Sequence, residues 1–87
     1  MIDDDIEWLR QHKKNARFDD LLKICEAHFG RPRFSSGHYI FPTPWPLDPR
    51  VNLQCDKKNK KDVKPYQVNQ VIRALEKLKE TTGDELG

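Results

Sequence analysis

No stretch of this chain holds the roughly 20 consecutive apolar residues that a membrane-spanning helix needs. Residues 1–5, Met-Ile-Asp-Asp-Asp, also lack the basic and apolar regions of a secretory signal, so a cytoplasmic protein without membrane attachment is expected. Cysteine is scarce. Cys25 and Cys55 stand alone, outside any Cys-x-x-Cys or Cys-His spacing, which argues against a zinc site and a disulfide framework and leaves two small core residues. No carboxylate cluster has the spacing of a cation loop either, so no metal or other cofactor is expected. With 87 residues there is one small domain and no room for a second catalytic one, and 34% charged against 36% hydrophobic residues suits a domain with a thin core.

A large excess of one charge is missing too: the net charge is only +2. Its distribution is uneven. Residues 1–30 carry seven acids against five bases, residues 31–50 one against three, and residues 51–87 six against eight, so the basic excess lies in the second half. Most of it comes from five lysines in residues 57–64, Lys57, Lys58, Lys60, Lys61 and Lys64. Pro65 directly follows and suits the first position of a helix. Lysines beside a helix N-terminus combine mobile positive charge with free backbone N–H groups, and phosphates favour both. The plainer reading is a solvated loop.

Helical periodicity is clearest over residues 18–29, where Phe18, Leu21, Leu22, Cys25 and Phe29 recur at intervals of three and four, with Ile24 and Ala27 widening the stripe. Asp19 or Asp20 favours the start of this helix and Gly30 its end, while His28 at the stripe's edge reads as a half-buried structural residue. A last helix buries Val68, Val71, Ile72, Leu75 and Leu78, and residues 81–87 are expected to fray. Residues 2–14 form a helical extension in which Trp8 is a packing anchor, and a turn through His12 to Asn15, with His12 in solvent, leads to the next element.

Three strands lie between the helices: residues 31–34, pushed from helix by Pro32; residues 38–41; and residues 50–56, where Val51, Leu53 and Cys55 alternate with Asn52, Gln54 and Asp56. Four prolines in residues 42–49 exclude regular structure there and imply a stiff connector between strands, although proline-rich loops also bind SH3-like domains. The order helix, three strands, helix, behind a short N-terminal helix, predicts an α+β fold: a three-stranded antiparallel sheet with helices on one face.

The chain is organised around residues 35–41, Ser-Ser-Gly-His-Tyr-Ile-Phe, a small flexible lead-in to a strand of aromatic and β-branched residues. Side chains alternate along a strand, so Tyr39 and Phe41 face the core only if His38 and Ile40 point away from it. His38 is then partly wet and able to transfer protons near neutral pH. For a lone histidine the plainer reading is a surface or hydrogen-bonded structural residue.

Together the strand at His38, the proline loop, Val51-Asn52-Leu53-Gln54 and Lys64-Pro65-Tyr66-Gln67-Val68 resemble the HicA toxins of bacterial toxin-antitoxin pairs, and residues 15–22 resemble that family's first helix. The resemblance spans about Asn15 to Leu78. It implies a double-stranded-RNA-binding-domain-like fold of order α-β-β-β-α, endoribonuclease activity on mRNA and silencing by a HicB-type antitoxin, with His38 as the catalytic residue. Two positions depart from the family pattern: the small pair before the histidine reads Ser36-Gly37 rather than Gly-Ser, and the usual second histidine is Tyr39. The first keeps a small flexible lead-in; the second removes an auxiliary proton carrier or RNA contact.

Cleavage of RNA beside its 2′-hydroxyl requires a proton taken from that hydroxyl, charge steadied on the phosphate and a proton given to the leaving oxygen. His38 supplies one proton step, without metal, and one histidine alone implies a slow enzyme. Arg33 or a lysine steadies the phosphate. Arg33, Ser36, Gly37 and the five lysines are the expected RNA contacts, and Tyr66 and Gln67 can add to them, although Tyr66 can equally pack on the sheet. An antitoxin would cover the His38 face and the basic surface. The alternative is a non-catalytic RNA-binding module of the same fold, gripping backbone through the lysine loop and last helix. A pure protein-interaction domain, the third reading, would show no RNA affinity that falls with salt.

Overall fold

The computed structural model describes residues 2–54 and 63–83; Lys57, Lys58, Lys60 and Lys61 lie outside that range. Three helices and three strands follow in the order α1 (Ile2–Gln11), α2 (Phe18–Phe29), β1 (Arg33–Ser35), β2 (His38–Phe41), β3 (Val51–Leu53) and α3 (Pro65–Gly83). The strands form one antiparallel sheet with β2 in the middle. Helices α2 and α3 pack against its strands and α1 packs on α3. This is the α+β arrangement expected from the sequence.

Helix α2 occupies the residues its stripe predicted, and Phe18, Leu21 and Cys25 are buried. Its start is fixed by Asp20, whose carboxylate accepts the Arg17 backbone N–H at 3.0 Å, and its end by Gly30, which takes φ 96° while its N–H reaches the Glu26 carbonyl. The C-terminus of α1 is closed differently from the expectation for His12. Instead of lying in solvent, His12 stacks on Trp8 at 4.2 Å between ring centroids, and its Nδ1–H donates to the Trp8 carbonyl at 2.7 Å. The same carbonyl accepts the His12 backbone N–H at 3.0 Å, so the ring adds a second bond that ties His12 to the last turn of the helix. Helix α3 also outruns its expected end. Thr81 remains helical, its hydroxyl bonded to the Lys77 carbonyl, and no breaker intervenes before Gly83.

Cross-strand pairing trims the strands. Strand β1 starts at Arg33 rather than Arg31 and runs on to Ser35, because Ser35 pairs with His38 across a two-residue connection. Both connecting residues have positive φ, Ser36 at 53° and Gly37 at 82°, as in the type I′ turn whose twist matches a hairpin. Glycine carries this conformation without strain and serine does not, so Ser36→Asn is expected to raise stability by up to about 1 kcal/mol, read as an increased urea midpoint. Strand β3 ends at Leu53 instead of continuing to residue 56, since its partner β2 offers only Tyr39, Ile40 and Phe41 to pair with Leu53, Asn52 and Val51. Cys55 and Asp56, the end of the expected strand, lie outside the described residues.

The core lies between sheet and helices. Phe41, Val51 and Leu53 contribute from the strands, Leu21 and Cys25 from α2, Ile6 and Leu9 from α1, and Val68, Val71, Ile72, Ala74 and Leu75 from α3. The helix α1 thus closes the same core rather than lying apart from it, and His28 on α2 meets Asp5 on α1 at 2.6 Å. Ion pairs Arg10–Glu76 and Asp3–Lys79 join α1 to α3 in exposed positions, where such pairs contribute little. Trp45 is the least expected core member. It turns in from the proline-rich loop, meets Phe29 edge-on at 6.2 Å, lies under the Lys77 ammonium at 5.3 Å and donates its Nε1–H to the Pro49 carbonyl at 2.7 Å. Among the described residues no helix is long and apolar enough to cross a membrane.

Burial, with the charge of Glu26 second, pushes the Cys25 thiol up from its ordinary 9.0 to about 12. The thiolate is the reactive form. In a Cys55→Ser variant, iodoacetamide at pH 8 is expected to label Cys25 only after urea unfolding, and labelling of the folded protein at the rate of a free thiol would contradict its burial. Because the folded state holds this proton more tightly, the stability it contributes is complete below pH 9.0 and is lost as pH rises toward about 12.

Candidate active site

The alternation of β2 places Tyr39 and Phe41 against the helices: Tyr39 meets Phe18 of α2 at 5.5 Å between ring centroids, and Phe41 is buried. His38 and Ile40 consequently face the other side of the sheet. Residues directly opposite across an antiparallel pair share a face. Ser35, opposite His38, Arg33, opposite Ile40, and Asn52, opposite Ile40 on the other side, therefore join them on the surface that α2 and α3 leave open.

On this surface the His38 Nδ1 and the Asn52 Oδ1 lie 3.0 Å apart. With the amide oxygen as acceptor, Nδ1 carries the hydrogen, and the ring's remaining nitrogen, Nε2, presents a lone pair. The imidazole is held in one orientation and one tautomer by a neutral partner. A base so prepared accepts a proton from an approaching hydroxyl, and the positive charge it gains is steadied by the amide oxygen. Arg33 sits one strand away, exposed, and lines a shallow depression of about 440 Å³ with Arg31, Pro32, Ile40 and Pro42. An anion on this face would find a guanidinium and an imidazole together.

The structure brings only part of the expected site to one place. Ser36 and Gly37 form the tight turn immediately before His38, and Arg33 shares its face. Lys64 is exposed just before α3. Lys57, Lys58, Lys60 and Lys61 lie outside the described residues. Gln67 is not a surface contact. It is only 4% exposed, turned inward by the same helical phase that buries Val68 and Val71, with its Nε2–H₂ reaching the Tyr66 hydroxyl at 3.5 Å. Tyr66 does not pack on the sheet but stands 63% exposed.

Asn52 is the functional candidate that the sequence reading missed. It was legible as an outward position of an alternating strand, but not as the partner of a histidine 14 residues away. Among the described residues no group of three or more histidine, cysteine, aspartate or glutamate side chains is placed to hold a metal ion. The fold and this site define a small α+β domain carrying an oriented histidine on an open sheet face. No family model, no curated protein and no solved structure matches the chain.

Proposed function

We propose that this chain is a metal-independent endoribonuclease of the HicA kind, the toxin of a type II toxin-antitoxin pair, acting on mRNA in the cytoplasm and neutralised by a HicB-type antitoxin. The single observation that best supports this is His38, the residue to which the resemblance assigns catalysis, held by Asn52 at 3.0 Å on the sheet face that α2 and α3 leave open, which Arg33 shares. Nothing in the core requires a histidine there.

In this reading Nε2 of His38 takes the proton of an RNA 2′-hydroxyl. The resulting oxyanion attacks the adjacent phosphorus, the bond to the leaving 5′-oxygen breaks, and a 2′,3′-cyclic phosphate forms while water protonates the departing oxygen. Arg33 faces the charge that gathers on the phosphate, and Lys64 with the other loop lysines holds the backbone further along. Without a second histidine to act as general acid, turnover is slow, as suits a protein whose effect is growth arrest. An antitoxin that covers the open sheet face blocks both the base and the approach of the anion.

The test incubates purified protein and its His38→Ala variant with a long single-stranded RNA in EDTA and follows fragment length with time. Shortening by the wild type alone is the expected result. If neither protein cuts while both bind RNA, the nuclease reading fails in favour of a non-catalytic RNA-binding module.

A further inference from the structure

A second polar groove lies between the end of the proline-rich loop and the first turns of α3. It encloses about 410 Å³ and is lined by Asp48, Pro49, Arg50, Tyr66, Asn69, Gln70 and Arg73. Arg50, Arg73, Tyr66 and Asn69 are all exposed. Among the described residues neither arginine is engaged in an ion pair, so the groove carries two uncommitted guanidinium groups against the one carboxylate of Asp48.

The helical phase of α3 produces this lining. Tyr66, Asn69, Gln70 and Arg73 follow at intervals of three and four on the face opposite Val68, Val71 and Leu75, so they project together beside the chain entering β3. An aromatic ring with an open face, two arginines and two carboxamides form a combination that fits one ligand class better than others. The ring stacks a base, the guanidinium groups take the flanking phosphates, and the amides hydrogen-bond base edges. An acidic peptide would use the arginines but leave the ring and the amides without a partner.

We infer that this groove is a binding subsite for a nucleotide unit of single-stranded RNA. The inference rests on the ribonuclease reading and specifies where the substrate is held. Arg50 is two residues, about 7 Å of extended chain, from Asn52, the residue that orients His38. A strand of RNA anchored at Tyr66 runs past Arg50 and over the edge of β3, and its neighbouring phosphodiester reaches the open face.

The test uses the wild-type protein, labelled with nitrogen-15, and a mixed-sequence 2′-O-methyl RNA hexamer, which lacks the hydroxyl needed for cleavage. Titration is expected to shift the backbone amides of Tyr66, Asn69, Gln70 and Arg73. Tyr66→Ala is expected to weaken the hexamer about tenfold, whereas Tyr66→Phe, which keeps the ring, binds as the wild type does. Arg50→Ala with Arg73→Ala should lower the slope of log affinity against log salt by about 1.4, the value for two phosphate contacts to a single strand. All these side chains lie outside the core, and retained dispersion of the amide spectrum verifies folding.

Unmoved groove amides, or a Tyr66→Ala variant that binds as tightly as the wild type, overturn the inference. Cleavage of unmodified RNA is scored separately. A protein that cuts RNA with silent groove residues keeps the nuclease reading and loses the subsite; one that binds the hexamer through the groove but never cuts keeps the subsite and loses the nuclease.

Discussion

Replacing His38 by alanine is expected to lower RNA cleavage by at least about 10²-fold and up to about 10⁴-fold, the range spanned by a positioned proton-transfer group. Binding of RNA should change little, because the phosphate grip belongs to the arginines and lysines. The fold should also survive, since His38 is only partly buried and its hydrogen bond to Asn52 lies on the open face. The loss therefore falls on kcat and leaves KM nearly constant, which a fold defect would not do. Asn52→Ala tests the arrangement one residue further out. The amide touches His38 and not the reacting phosphate, so its removal frees the ring to rotate and change tautomer while leaving the base in place. A loss in kcat smaller than that of His38→Ala, again without a matching rise in KM, is expected. If both variants cut RNA as the wild type does, the His38–Asn52 pair has no part in the chemistry.

Trp45→Ala is expected to be the most damaging of the substitutions outside the site, at about 3–5 kcal/mol. The side chain is 9% exposed and does three jobs: it fills the space against Phe29, accepts the Lys77 ammonium over its face and ties its own loop together through the Pro49 carbonyl. Small domains are stable by only about 5–15 kcal/mol, so the variant would sit near the edge of folding. The urea midpoint and the thermal midpoint should both fall sharply, the latter by more than about 10 °C. Trp45→Phe separates the terms. It retains most of the apolar burial but loses the donor to Pro49, and the expected cost drops to about 1–3 kcal/mol, the range for a hydrogen-bond acceptor left unsatisfied. Equal midpoints for wild type and Trp45→Ala would mean that the loop does not depend on this anchor.

The sequence by itself determined the parts of this protein that depend on neighbours a few residues apart. The spacing of Phe18, Leu21 and Cys25 defines α2 because a helix repeats every 3.6 residues, and the same argument recovers the buried face of α3 from Val68, Val71, Ile72 and Leu75. Alternation along β2 foretold which way His38 and Tyr39 would point. The small residues before His38 indicated a turn, and four prolines indicated a loop without regular structure. Strand limits were less legible, since a strand exists only as far as its partner does. Arg31 and Gln54 fall outside β1 and β3 for that reason.

Tertiary structure alone decided the contacts between distant segments. His12 reads as a solvated residue until Trp8 is seen to offer it a ring and a carbonyl, and nothing near His28 in sequence announces Asp5. Trp45 looks like part of a connector until Phe29 and Lys77 close around it. The site follows the same rule. His38 carries the proton chemistry as a residue type, but its orientation by Asn52 comes from the register of β2 on β3, and the groove at Tyr66 and Arg73 comes from the packing of α3 beside the entrance to β3. Local periodicity is a property of one segment, whereas register and helix placement are set by how several segments share one core, and that information is distributed over the whole chain.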